Sequence, residues 1–212
     1  MQPLPDNITT VLFDMDGVLI DTAAAVHDAY TRWARENGLD PEEVLAIIHG
    51  RRTVEVARAF GLDEDVESVA DQIERAIADR ASIDDAIVPA CDLYRALDPA
   101  GVAVATSARR ETALTNLRVL GLPRPAVLVT GQDVEAGKPA PDPYRVAAER
   151  IGRAPGDCAV IEDAPAGIQA GKAAGCHVVA VTTTHGRDEL RDADQVVAPE
   201  GLAEVFAPLA SP

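Results

Sequence analysis

Val11-Leu12-Phe13-Asp14-Met15-Asp16-Gly17-Val18-Leu19-Ile20-Asp21-Thr22 is the stretch whose reading decides the fold. Val11–Phe13 is a short apolar run of the kind that forms a buried strand. It ends in two aspartates, Asp14 and Asp16, with Gly17 directly behind them. Acids placed straight after an apolar strand lie at the carboxyl edge of a sheet, where open α/β folds hold their ligands. Two carboxylates this close repel each other in a partly buried site and need a cation or a shared proton. Gly17 lets the chain turn sharply and approach a ligand closely. An Asp-Gly pair is also an ordinary turn signal. Taken alone, the segment fits a ligand site or a plain strand and turn.

The rest of the chain repeats the pattern. Further strands are expected at Val102–Ala105, Val127–Val129, Cys158–Ile161 and His177–Val181, with helical periodicity between them, as at Glu111–Leu120 and Pro143–Ile151. This alternation predicts an α/β fold, a Rossmann-like doubly wound parallel sheet with helices on both faces. Residues 22–88 break it. They show almost no strand signal and several helical segments, at His27–Asn37, Pro41–Ile47, Val54–Ala59 and Val66–Ala81. The expected organisation is an α/β core of residues 1–21 and 89–212. Residues 22–88 form a small all-helical cap inserted after the first strand, a lid over the sheet's edge.

Composition narrows the function. The 212 residues are 47% hydrophobic, ordinary for a folded globular chain. No apolar run nears the ~20 residues of a membrane span. The opening MQPLPDN lacks both the basic region and the apolar core of a secretory signal. Cys91, Cys158 and Cys176 are three widely spaced cysteines with no CxxC pair, which fits buried, reduced thiols in a cytoplasmic protein. The formal net charge of −16 argues against nucleic acid and anionic membranes as partners. The same field repels anionic substrates, so a site for one must gather its own positive charge.

Three other strand ends carry chemistry. Thr106 and Ser107 follow the apolar Val102–Ala105 run. Hydroxyls and backbone N–H groups at such a junction can hold a phosphate, and they equally suit a helix N-cap. Lys138 sits between Gly137 and Pro139 in Glu135-Ala136-Gly137-Lys138-Pro139-Ala140-Pro141-Asp142-Pro143. That frame presents one positive charge rigidly; the bland alternative is a solvated surface lysine. A Walker loop does not fit, because five residues rather than four separate Gly131 from Gly137, and Pro139 replaces the Ser or Thr. Glu162 and Asp163 end the Cys158–Ile161 run and could join Asp14 around one hard cation, for which oxygen ligands suit Mg²⁺. Gly167, Gly171 and Gly175 recur every four residues and are expected on one face of the following helix, permitting close packing.

Acid, hydroxyl, lysine loop and acid at successive strand ends, from Val11 to about Thr184, resemble the haloacid dehalogenase-like hydrolase superfamily. The helical insert resembles the cap of the phosphoglycolate phosphatase and β-phosphoglucomutase branch. IIHGRRTVEVARAF, GLPRPAVLVTGQDVEAGKPAPDPY and IEDAPAGIQAGKAAGCHVVAV are similar to bacterial and yeast phosphatases of sugars and polyols. Those act on compounds such as 2-deoxyglucose 6-phosphate, hexitol phosphates and glycerol phosphate.

The resemblance implies roles. Asp14 would be the nucleophile that forms an aspartyl-phosphate. Asp16 would be general acid, then general base, with its backbone carbonyl on Mg²⁺. Thr106 and the Ser107 backbone would bind phosphoryl oxygens, and Lys138 would neutralise them. Asp163 would hold the metal together with Asp14, with Glu162 as a further ligand or behind one. In the cap region His49-Gly50-Arg51-Arg52 is expected to open a helical element. Arg51, Arg52, His27 and Arg109 are substrate-contact candidates, with a solvated helix face the alternative for the charges. Trp33 is expected in the cap's core, and His177 and His185 match no motif of the family. A mutase of this branch would carry a histidine where Val26 stands and Gly-x-Ser-Arg where Gly50-Arg51-Arg52-Thr53 stands. Hydrolysis is therefore expected, of a small phosphomonoester by a Mg²⁺-dependent sugar or polyol phosphatase acting as a monomer or homodimer. The alternatives are a phosphosugar mutase and a non-catalytic regulator, and a regulator would not need both Asp14 and Asp16.

Overall fold

The computed structural model describes residues 3–48, 50–61 and 65–210. The chain runs through β1 (Thr10–Phe13), α1 (Ala23–Glu36), α2 (Pro41–Leu45), α3 (Thr53–Ala59), α4 (Val66–Ala78) and α5 (Val88–Ala96). It continues with β2 (Val102–Ala105), α6 (Arg110–Val119), β3 (Val127–Val129), α7 (Asp142–Arg150) and β4 (Cys158–Glu162). It ends with α8 (Pro165–Ala174), β5 (His177–Val181), β6 (Gln195–Val197) and α9 (Leu202–Val205).

The strands form one six-stranded sheet of order β3-β2-β1-β4-β5-β6, and every pairing is parallel. Alternation along β1 sends Val11 and Phe13 to one face and Leu12 to the other, so each layer of helices gets its own core. The chain first builds leftwards from β1 to β2 and β3, then returns to lay β4 on β1's other side. That reversal is the switch point at which open α/β sheets hold ligands. The register Phe13↔Ile161 brings Asp14 level with Glu162 at the same edge. The sixth strand, β6, has no counterpart among the expected strands. It is a three-residue edge strand beside β5, too short to show a run of its own.

The α1–α4 segment buries Tyr30, Trp33, Val44, Val56, Ile73 and Ile77 among themselves, separately from the two sheet clusters. Trp33 stands edge-on to both Tyr30 and Phe60, with ring centroids 6.3 Å apart in each pair. The two crossings into and out of this segment lie side by side. Ile87 donates its N–H to Leu19 O at 3.0 Å, and Asp21 donates to Asp85 O at 2.8 Å. α5 packs back on the sheet through Leu93 and Tyr94. Helix ends differ from expectation: α4 stops at Ala78 rather than Ala81, α2 stops at Leu45 rather than Ile47, and α1 starts earlier, at Ala23. α3 starts at Thr53, so Gly50-Arg51-Arg52 precedes the helix rather than opening it. His49 lies outside the described residues.

The three-glycine stripe needs correction. Gly167 and Gly171 lie within α8, and a Cβ at Gly171 would come 2.8 Å from Val178. Gly175 is instead the left-handed residue (φ 88°) that ends the helix. All three cysteines are buried and unpaired. Among the described residues no helix is long and apolar enough to cross a membrane.

Candidate active site

Asp14 leaves β1 with its N–H donated to Ile161 O at 3.0 Å, so the backbone pairing of β1 and β4 holds it at the sheet edge. Lys138 Nζ lies 2.7 Å from Asp14 Oδ1 and 2.6 Å from Glu162 Oε1. The lysine is only 2% exposed, which rules out the solvated-surface alternative. Its neighbour Glu162 is fully engaged. Oε1 also accepts the Tyr144 hydroxyl at 2.7 Å, and Oε2 accepts the N–H groups of Asp163 (2.9 Å) and Ala164 (3.1 Å). A carboxylate offers about four lone-pair positions, and here four donors use them. Glu162 therefore holds Lys138 in place. Tyr144 had not been singled out from the sequence, although it closes the Pro-rich lysine loop two residues after Asp142.

Asp163 points its carboxylate toward Gly17 and accepts the Thr184 hydroxyl. Gly17 has φ 77°, and any Cβ there would collide with the Asp163 carboxylate, so both backbone and space demand glycine. Asp16 accepts Thr22 Oγ1 on Oδ1 at 2.8 Å and Thr106 Oγ1 on Oδ2 at 3.4 Å. Thr106 Oγ1 also accepts the Ala108 N–H at 3.0 Å. The threonine thus caps the turn after β2 and touches Asp16, while the N-cap position of α6 itself is Arg109. Ser107 donates its hydroxyl to Gly50 O at 2.8 Å, tying this strand end to the helical segment.

The electrostatics favour a cation. Burial pushes Asp14 up to about 7, against the pull of Lys138 and with help from the Glu162 and Asp16 charges. Burial also raises Asp163 well above the usual carboxylate range, reinforced by Glu162 and Asp14. For Glu162 burial is outweighed by the Lys138 charge and its hydrogen bonds, so its pKa is lowered. Lys138 loses from burial but is raised overall by Asp14 and Glu162. Candidate ligand atoms of Asp14, Glu162 and Asp163 lie within 4.8 Å of one another. Three buried carboxylates against one ammonium leave the site short of positive charge. With Glu162 engaged by its four donors, the free hard-oxygen ligands are those of Asp14 and Asp163, which fit a divalent cation.

Above these groups is a cavity of about 440 Å³ between the sheet edge and the α1–α4 segment. Arg51 and His27 line it, both exposed, and His27 lies 3.5 Å from Asp28. His185 also lines it, with Nδ1 3.0 Å from Asp163 O, a position no sequence motif announced. His177 is remote from the cavity, beside Asp194 at 3.8 Å.

Arg52 and Arg109 do not line this cavity and are corrected as substrate contacts. Arg52 donates to the carbonyls of Gly131 (3.2 Å), Val134 (2.9 Å) and Glu135 (2.8 Å) and pairs with Glu55. It straps α3 to the loop that carries Lys138. Arg109 pairs with Glu67 and Asp71 of α4, each at 2.8 Å. Both arginines satisfy partners across the two layers, which their local charge pattern could not reveal.

A family model described as haloacid dehalogenase-like hydrolase matches residues 8–175. The chain belongs to that family. This haloacid dehalogenase-like hydrolase is 41% identical over 191 residues to hexitol phosphatase A of Escherichia coli (strain K12), covering 88% of each chain. It is 34% identical to glycerol-1-phosphate phosphohydrolase 1 of Saccharomyces cerevisiae, over 90% of this chain and 81% of that one. Among solved structures, a hydrolase from Pseudomonas syringae superposes with a TM-score of 0.81 at 26% identity, over 95% of this chain and 99% of that one. A β-phosphoglucomutase from Clostridium difficile shares the fold at a TM-score of 0.79 and 22% identity, over 92% of this chain and 93% of that one.

Proposed function

We propose that this hydrolase is a Mg²⁺-dependent phosphatase of small phosphorylated sugars or polyols that works through an aspartyl-phosphate on Asp14. The observation that carries the reading is the Lys138 ammonium held between Asp14 and Glu162 at the floor of the cavity. It is the local positive charge that a chain of net charge −16 needs to receive a phosphate. The relatives named for hexitol and glycerol phosphates support the substrate class.

In the first half-reaction an Asp14 oxygen attacks phosphorus and the ester P–O bond breaks. Asp16 gives its proton to the departing alkoxide. In the second, Asp16 takes a proton from water, whose oxygen attacks phosphorus and releases inorganic phosphate and free Asp14. Lys138 neutralises phosphoryl charge, and the Thr106 hydroxyl with the Ser107 backbone orients the phosphoryl oxygens. Asp14, Asp163 and the Asp16 carbonyl would hold Mg²⁺, with Glu162 fixing Lys138 beside them. When bound, the cation supplies charge neutralisation that lets a phosphate dianion approach these acids.

Residues 22–88 act as the cap and residues 1–21 and 89–212 as the core, with the paired crossings at Leu19–Asp21 and Asp85–Ile87 as hinges. The reading places the enzyme in the cytoplasm, as a monomer or homodimer whose partner is the phosphomonoester. The test is phosphate release with Mg²⁺ from hexitol phosphates, glycerol phosphate and 2-deoxyglucose 6-phosphate. Conversion of β-glucose 1-phosphate to glucose 6-phosphate faster than phosphate release overturns it in favour of a mutase.

A further inference from the structure

Glu74 lies on the apolar stripe of α4, in register with Ala70, Ile73 and Ile77, yet it is a carboxylate and only 5% exposed. A buried acid normally has a cation partner. Among the described residues Glu74 has no ion pair. Its partners are neutral donors: the Thr53 hydroxyl to Oε1 at 2.7 Å, the Arg109 backbone N–H to Oε2 at 3.3 Å, and the Thr112 hydroxyl. Burial raises the Glu74 carboxyl above the usual range, and the donors converging on both oxygens pull it back toward the ionised form. Three donors leave one of its roughly four lone-pair positions for a further donor. Glu74 lines the same cavity as Asp14 and Lys138, and the like charge of Asp16 acts on it.

A second group completes the wall. Tyr30 donates its hydroxyl to Thr53 at 3.1 Å, and Thr53 in turn donates its own hydroxyl to Glu74 at 2.7 Å. The direction of this relay leaves the Tyr30 oxygen as an acceptor, and Tyr30 and Thr53 also line the cavity. Beside them the lining is apolar, through Val26, Leu45 and Ile48. Around Glu74 the cavity wall therefore offers acceptors and hydrocarbon surface, with Arg51 and His27 exposed in the same lining.

We propose that Glu74, with the Tyr30–Thr53 relay, is the specificity determinant that binds the hydroxyls of the leaving group. It selects neutral, polyhydroxylated phosphomonoesters and rejects those carrying a second anion. A polyol places hydroxyl donors on these acceptors and C–H groups on the apolar lining. A carboxylate or second phosphate set against Glu74 would face a buried acid that has no ion pair among the described residues, whereas Arg51 in the lining is exposed. This rests on the phosphatase reading for the identity of the cavity floor, and it goes further by stating what the wall around Glu74 recognises.

The test measures binding, so it stands apart from turnover. In an Asp14→Asn background, affinities are taken for a hexitol 6-phosphate, phenyl phosphate and 2-phosphoglycolate in the presence of Mg²⁺. Glu74→Gln keeps the size and the Thr53 contact but removes the charge; Glu74→Ala removes the acceptor. The expected result is a loss of hexitol phosphate affinity of about 10- to 100-fold, at least tenfold larger than any loss for phenyl phosphate. Phosphoglycolate affinity should move the other way and tighten in Glu74→Gln. Equal losses on all three ligands would show Glu74 merely capping α6 and would overturn the proposal. So would unchanged hexitol phosphate affinity in folded Glu74→Gln protein. If the wild-type enzyme released phosphate from no ester, the phosphatase reading would fail, while the binding contrast would still report on Glu74.

Discussion

Tyr144 Oη stands 2.7 Å from Glu162 Oε1, donating its hydroxyl to the same oxygen that receives the Lys138 ammonium. The lysine also lies 5.1 Å from the centre of the Tyr144 ring. Helix α7, which follows the lysine loop, thus reaches back under the sheet edge and fixes Glu162 and the ammonium it holds. Nothing acts on phosphate directly here. The contact sets where this buried positive charge stands.

Tyr144→Phe should therefore fold and still bind phosphate, but with its lysine less well held. The lost hydrogen bond should cost about 1 kcal/mol of stability and lower kcat/KM by roughly tenfold on every ester. Chemical denaturation and steady-state kinetics on the same preparation check both figures.

Asp14→Asn replaces the proposed nucleophile by an isosteric amide that cannot attack phosphorus. Turnover should fall more than about 10³-fold while the circular dichroism spectrum is unchanged. Near wild-type turnover of any phosphomonoester would place the nucleophile elsewhere.

The metal-free protein should lose stability as pH rises. Burial holds Asp14 at about 7 and also raises Asp163, so the folded state keeps protons that the unfolded state has released. This contribution is fully present below the ordinary carboxylate pKa near 4 and is lost as pH climbs through about 7. The melting temperature in EDTA should drop between pH 5 and pH 8 on this account, in the range of ordinary buffers. Adding Mg²⁺ should restore it most at the alkaline end, where the ligands are already deprotonated. Calorimetry with and without the ion across that range tests the sign. A metal-free protein whose melting temperature rises with pH would contradict it.

Arg52→Ala should act on all substrates alike. Its guanidinium closes α3 onto three carbonyls of the loop leading to Lys138, away from the cavity that holds Asp14. The variant should lose about 2 kcal/mol of stability and some activity, with the ranking across a phosphate-ester panel unchanged. A changed ranking would restore Arg52 as a substrate contact.

Most of the sheet was legible because apolar runs ending in chemistry mark strand and edge together. β1, β2, β3 and β4 show this signature and β5 the apolar run alone, and the parallel register aligns their carboxyl ends. β6 escaped because three residues on a sheet edge carry too little apolar pattern. Glu74 was legible in principle, as an acid on an otherwise apolar helical stripe, but its meaning depended on what lay above it.

The sequence by itself determined which residues end the strands, and so which side chains could share one edge: Asp14, Asp16, Thr106, Lys138, Glu162 and Asp163. Local physics suffices there, because a strand's direction and period fix where its last residue projects. Only the tertiary structure decided what each charge faces. Arg51 borders the cavity while its neighbour Arg52 clasps a loop, and Arg109 spends its charge on Glu67 and Asp71. Glu162 turned out to hold Lys138 directly, steadied by a tyrosine eighteen residues away in the chain. A long side chain's partner is set by which element packs over it, and that packing depends on contacts between segments far apart in sequence.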